Sequence, residues 1–233
     1  MKLSREITLK IHFLLDQCLP PLLRDQRWFM WLPFKLLFGN KATAFLDFKQ
    51  RAPFLSPLEL TEYYRELAPV FIKRETDLNS ACIQEIEKQI KGKTVLDIAC
   101  GTGFMAKRLF EKHYEVTAAD FILPDSSNFP QITWIESHIE KTSFENQQFD
   151  TVICAHTLEH TQYLHQAIKE LRRITKQRLI IIVPKQRPYL YTFDLHLHFF
   201  PYASSFLTAI GTIGNTFNLL EIGGDWFYVE DFQ

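Results

Sequence analysis

A chain of 233 residues, 46% of them hydrophobic, is long enough for one α/β domain plus an extension and apolar enough to bury a core, which excludes a disordered polypeptide. Its 26 basic side chains nearly balance 27 acidic ones, and a net charge of −1 leaves no bulk electrostatic footprint for nucleic acid, so no nucleic-acid partner is expected. Four cysteines (Cys18, Cys82, Cys100, Cys154) lack C-x-x-C spacing and read as reduced thiols of a cytoplasmic protein. Asp16 and Arg24 interrupt the apolar N-terminal run, and there is no small-residue cleavage site, so it does not read as a secretory signal.

Residues 1–90 read as a helical extension or cap, and residues 91–233 as the main domain. Ile7, Ile11, Leu14 and Leu15 recur at helical spacing, and Pro20-Pro21 break that helix. A second apolar segment opens at Leu22 and carries Trp28, Phe29, Trp31, Phe34 and Phe38, flanked by Arg24, Arg27 and Lys35, until Gly39-Asn40 stops it. Two readings are open. These aromatics pack on the main domain or on a second subunit, or they form an interfacial surface for a membrane or a lipid-like substrate. Pro57 to Leu67 reads as a helix bearing Tyr63 and Tyr64, ending before Pro69. Asp77 or Asn79 caps the next helix, through Ile83, Ile86 and Ile90, which Lys91-Gly92-Lys93 ends.

From Thr94 the pattern alternates. The apolar run Val95, Leu96, Ile98 contains Asp97 and is followed by the small-residue loop Ala99-Cys100-Gly101-Thr102-Gly103, then by apolar residues four apart, Met105 with Leu109 and Ala106 with Phe110. That order is strand, tight turn, helix, the opening of a nucleotide-binding unit. Gly101, Gly103 and Ala106 fit the dinucleotide spacing, in which a pyrophosphate sits on the helix start. A carboxylate at Asp97 would repel a pyrophosphate and attract a ligand carrying sulfonium and ammonium charges. Asp120 closes the next apolar segment, at the distance expected of an acid that accepts ribose hydroxyls. Strands are expected near 94–99, 115–120, 131–136, 149–155 and 178–183, and helices near 103–112 and 161–175. Leu164, Ile168, Leu171 and Ile174 make the buried stripe of the second helix. The charge-free stretch Phe199 to Leu220 is long enough to span a bilayer, but Pro201, two glycines and many Ser, Thr and Asn make it a helix and a strand instead. Alternation of this kind implies a parallel sheet with helices on both faces and ligands bound beyond the carboxyl ends of the strands.

Asp97, the Ala99–Gly103 loop and Asp120 resemble the first two motifs of the class I S-adenosylmethionine-dependent methyltransferases, with Ala99 in place of the usual first glycine. Phe149-Asp150 through His156-Thr-Leu-Glu159-His160 and Val183-Pro184 resemble the small-molecule branch that includes the ubiquinone-biosynthesis O-methyltransferases. The resemblance covers the chain from Thr94 onward. It implies a Rossmann-like, mostly parallel seven-stranded α/β sheet whose antiparallel last strand is Asp225 to Glu230. It also implies S-adenosylmethionine as cofactor, S-adenosylhomocysteine as product, and cofactor contacts at Asp97, Ala99, Cys100, Gly101, Thr102, Gly103, Asp120, Phe121, His138, Ile139 and Ala155. His138 replaces the usual acid of the adenine turn. A tyrosine before the domain, Tyr63 or Tyr64, and a histidine after Pro184, His196 or His198, fall where relatives cover the substrate. Arg74 reads as an ordinary surface arginine rather than as a partner of the methionine carboxylate.

A sulfonium methyl is already activated, so the protein must align an in-line nucleophile and accept the proton of a hydroxyl. His156 and His160 flank the mouth of the fourth strand and are the candidate bases. His156-x-x-Glu159-His160 also spells an inverted zinc-protease signature, but the two histidines straddle a strand end and a helix start, so no metal is expected. No N-P-P-Y-type sequence follows the strand, which argues against methylation of nucleobase or glutamine amines. The expected reaction is methyl transfer to a small, apolar, aromatic or lipid-linked acceptor, by a protein that is cytoplasmic or at a membrane periphery and able to form oligomers. An aminopropyl transferase, a non-catalytic S-adenosylmethionine sensor and an NAD-dependent dehydrogenase are the alternatives.

Overall fold

The computed structural model describes residues 13–14, 18–67, 70, 75–124, 129–191, 193–212 and 216–232. Two compact units divide the chain: Met1–Arg74 with Arg187–Phe199, and Glu75–Gln186 with Phe200–Gln233. The boundary expected near residue 90 therefore falls earlier, and a second piece of chain returns to the first unit.

The first unit holds helices α1 (Pro21–Arg24), α2 (Arg27–Phe38), α3 (Ala42–Arg51) and α4 (Pro57–Leu67), and the last three share one aromatic core. Met30, Phe34 and Phe38 recur every fourth residue and form the buried stripe of α2. Phe38 stacks on Phe45 of α3 with ring centroids 3.7 Å apart, and Phe34 stacks on Phe193 at 4.4 Å. Tyr191 and Leu195 are buried in the same cluster, which is why residues 187–199 belong to this unit. Gly39 stops α2, as expected, with φ 55°. The chain then re-enters helix at Ala42, a helix the sequence reading had not assigned. The helix expected around Ile7 to Leu15 lies for the most part outside the described residues.

The second unit is built on a seven-stranded sheet. Its strands are β1 (Thr94–Ile98), β2 (Glu115–Asp120), β3 (Thr133–Glu136), β4 (Phe149–Ala155), β5 (Thr175–Pro184), β6 (Thr216–Ile222) and β7 (Asp225–Asp231). Their order is β3-β2-β1-β4-β5-β7-β6, parallel from β3 to β5, with β7 antiparallel to both β5 and β6. The Rossmann-like sheet with an antiparallel last strand is thus present. Side chains alternate between the two faces. Leu96, Ile98, Val152, Cys154, Leu179 and Ile181 meet Leu164, Ile168 and Leu171 of α7 (Leu164–Ile174) and Phe206 of α8 (Ala203–Ile210). Val95, Val116, Ile153, Ile180 and Ile182 meet Cys82 and Ile86 of α5 (Ser80–Gln89) and Met105, Ala106 and Leu109 of α6 (Phe104–Glu111). Central strands covered on both faces read as continuous apolar runs, and Leu179 to Val183 is one.

Of the two proposed caps, Asn79 is the one used, its side chain accepting the Cys82 N–H at 2.9 Å. The Asn79 amide also donates to the Ile222 carbonyl and to Asp225, tying α5 to the sheet. The stretch around Phe199 to Leu220 is a helix and a strand. Among the described residues no helix is long and apolar enough to cross a membrane.

Candidate functional site

A buried acid stands one residue before the carboxyl end of β1, Asp97, and another ends β2, Asp120. Helix α6 begins at Gly103, which has no side chain to cap it, so Asp97 does the capping from the neighbouring strand, accepting the Ala106 N–H at 3.0 Å. Asp120 accepts the Gly101 N–H at 2.8 Å and the Ile122 N–H at 3.0 Å. Its carboxylate therefore ties the glycine loop to the end of β2. Burial pushes the Asp97 carboxyl up to about 7, the Ala106 N–H opposing and the nearby Asp120 charge adding to the rise. Burial raises Asp120 as well, against its backbone hydrogen bonds.

The loop between them turns through left-handed residues: Ala99 (φ 56°), Gly101 (φ 54°) and Gly103 (φ 73°). A Cβ at Gly103 would stand 2.5 Å from the Trp134 ring, so that glycine is required for packing under the loop. A Cβ at Gly101 would meet nothing within 4 Å, so the turn leaves open space beside the two acids. Cys100 donates its N–H to the Ala119 carbonyl, and its thiol is pushed up by burial and by Asp97 and Asp120, which leaves it protonated. The Thr102 hydroxyl donates to the Glu75 carbonyl. Past β2, Phe121 and His138 lie ring to ring, centroids 6.0 Å apart and 20° from parallel, with Ile139 buried beside them. The expected cofactor residues from Asp97 to Ile139 are thus gathered at one end of the sheet.

At the mouth of β4, Ala155 is the last strand residue and His156 turns left-handed at φ 51°. The His156 imidazole lies between two buried carboxylates, with Nδ1 3.5 Å from Glu159 and Nε2 3.6 Å from Asp225. Burial pulls its pKa down, but the two carboxylates overcome this and hold it at about 10. Flanked on both nitrogens by carboxylates, the imidazole favours its protonated form, which weighs against the expectation of His156 as a base. His160 ends a short 3-10 turn, Leu158–His160, rather than opening a helix. The helix starts later, at Leu164. Glu159 stood in the sequence as part of the zinc-like spelling, but Asp225 was missed, because it reaches His156 only through the antiparallel return of β7.

Tyr63, Tyr64, His196 and His198 all belong to the first unit. The Tyr63 hydroxyl donates to the Ala44 carbonyl at 2.6 Å, and its ring lies 5.8 Å from Phe48, a packing role. Tyr64 donates to the Leu195 carbonyl at 3.3 Å. His196 is buried with its ring 6.0 Å from Phe199, and His198 is half-buried. Arg74 lies outside the described residues.

Residues 96–183 match the protein-family model described as a methyltransferase domain. The chain contains a methyltransferase domain. That match agrees with the resemblance carried by the strand-end acids and the glycine turn. A 2-phytyl-1,4-naphtoquinone methyltransferase of Trichormus variabilis is 31% identical over 98 residues, which cover 36% of this chain and 43% of that protein. A ubiquinone biosynthesis O-methyltransferase of Rickettsia canadensis is 30% identical over 97 residues, 38% of this chain and 41% of that protein. The match spans less than half the length of these curated relatives. Among solved structures, a Pyrococcus horikoshii protein superimposes with TM-score 0.56 at 24% identity, covering 74% of this chain and 99% of its own. The Burkholderia thailandensis 1,6-didemethyltoxoflavin-N1-methyltransferase, solved with S-adenosylhomocysteine, also gives 0.56, at 14% identity and with 65% of this chain and 76% of its own covered. At these identities the likeness establishes the shared fold.

Proposed function

We propose that the protein transfers a methyl group from S-adenosylmethionine to a hydroxyl of a small apolar or aromatic acceptor, leaving S-adenosylhomocysteine. The observation that carries this is the pair of buried acids, Asp97 and Asp120, flanking a left-handed glycine turn with open space at Gly101. The cofactor supplies a methyl group already activated on a sulfonium. Asp97 balances its positive charge, and Asp120, pinned by Gly101 and Ile122, presents lone pairs to the ribose hydroxyls. Phe121, His138 and Ile139 take the adenine in this reading, which the near-parallel rings of Phe121 and His138 support.

His160 is the proton acceptor for the hydroxyl in this reading, and His156 is a positioning residue that fixes the turn after β4 from within. The curated relatives named above are quinone methyltransferases by name, which favours a ring-bearing or lipid-linked acceptor for this chain too. Free thiols at Cys18, Cys82, Cys100 and Cys154 support a reducing, cytoplasmic workplace.

Calorimetric titration with S-adenosylmethionine, S-adenosylhomocysteine and NADH in parallel tests the cofactor part. Micromolar binding of the first two and none of NADH is expected, and binding of NADH alone would overturn the reading. An acceptor screen by mass spectrometry then reads a gain of one methyl group.

A further inference from the structure

Helix α2 buries Met30, Phe34 and Phe38 on one side, and its opposite side is apolar as well. At 100° per residue, Trp31, Lys35, Trp28, Leu32 and Leu36 follow one another around a single arc of that helix. All of them face solvent: Trp28 is 70% exposed, Trp31 46%, Leu32 57% and Leu36 77%. Immediately before it, α1 leaves Leu22 78% exposed. A helix that is hydrophobic all round belongs in a core or against an apolar phase, and contiguous exposed apolar surface marks a contact.

We propose that this face of α2 docks on an anionic membrane surface. Tryptophan is the side chain favoured at the boundary between headgroups and acyl chains, and two of the four exposed apolar residues here are tryptophans. The charge agrees. Gln26 to Leu46 contains no acidic residue, and Met1–Lys41 carries seven basic and three acidic side chains in a chain whose overall charge is −1. Arg27 is paired with Asp47 and Lys41 with Glu66, so Lys35 is the cation that this face presents. Lys35 sits inside the apolar arc, where its stem can lie on the surface with the ammonium among phosphates. A second copy of the same face would fit less well. A two-fold contact would set Lys35 against its own counterpart, with no carboxylate on that helix to offset it.

The proposal stands independently of methyl transfer and is tested on the full chain by sedimentation with vesicles of phosphatidylcholine alone and of phosphatidylcholine mixed with phosphatidylglycerol. Binding to the mixed vesicles, weaker binding to neutral ones and release by salt are expected. Trp28→Ser with Trp31→Ser should lower partitioning by about tenfold or more, because most of the inserted apolar area is lost. Lys35→Glu should weaken binding to the anionic vesicles selectively. Both variants should keep the far-UV spectrum and S-adenosylmethionine affinity of the parent, so failure to fold or to bind cofactor is read separately. Absence of binding to either vesicle, equal binding by parent and double variant, or a dimer that the double variant abolishes without any vesicle binding, would each overturn it.

Discussion

The two strand mouths of the sheet solve the same electrostatic problem in opposite ways. At β1 and β2 the acids Asp97 and Asp120 are buried among backbone N–H donors, with raised pKa values. At β4 and β7 the acids Glu159 and Asp225 are buried around a histidine, and the positive charge is supplied from within the chain. Dipoles alone leave the first pair short of neutralisation, so that end is ready for a cationic ligand. In the second cluster one imidazole stands between both carboxylates, so each acid already has a partner from the chain itself.

Removing the internal cation should break that contrast most severely. His156→Leu leaves two buried carboxylates without their counter-charge, and losing one partner of a buried ion pair costs about 3–5 kcal/mol. Urea denaturation should show a loss of that order; an unchanged midpoint would mean that the cluster is not ion-paired. The pH dependence has a definite sign. The folded pKa of His156, about 10, lies above its ordinary 6.5, so its contribution is complete below about 6.5 and disappears as pH rises through 10.

Asp97 offers the next largest effect. Asp97→Asn keeps an oxygen for the Ala106 N–H but removes the charge, and should weaken S-adenosylmethionine binding by about 1–3 kcal/mol with little change in fold. Because its folded pKa of about 7 is raised from 3.8, the stability it confers is present below 3.8 and lost as pH rises through 7. A bound cation reverses that preference by favouring the carboxylate. Cofactor affinity should therefore increase with pH up to about 7 and then level off, with a proton released on binding below that point. Calorimetry in buffers of different ionisation enthalpy measures the proton, and Asp97→Asn should abolish it.

The contrast also explains how much could be read from the chain. Strands 115–120 and 149–155 and helix 57–67 stand where the pattern put them, because apolar periodicity, Pro57 and the strand-end acids are local signals. The acids Asp97 and Asp120 were legible for the same reason. Strand β5 begins at Thr175, three residues before the expected 178, because Thr175 pairs with Phe149 of β4 ahead of a register shift that the polar Lys176-Gln177 occupy. Helix α3 was missed because Gly39-Asn40 reads as a stop, whereas Ala42, Phe45, Leu46 and Phe48 find their burial against α2. The role of His156 was hidden for a tertiary reason: Asp225 lies far along the chain and arrives by the reversal between β6 and β7.

The smallest effects test the turn itself, where Ala99 and Gly101 share nearly the same left-handed φ but differ in side chain. An L side chain there carries a conformational cost, and glycine avoids it while giving the unfolded chain more freedom, so Ala99→Gly should change stability by less than about 1 kcal/mol, toward greater stability. Gly101→Ala should lose about 1 kcal/mol or more for the reciprocal reason, although its new methyl would clash with nothing in the protein. Cofactor affinity separates strain from occupancy. If Gly101 is open because the cofactor passes over it, Gly101→Ala weakens S-adenosylmethionine binding beyond its effect on folding, whereas Ala99→Gly leaves affinity close to that of the parent. Equal affinities in the two variants would place the cofactor elsewhere and remove the functional meaning of the open turn.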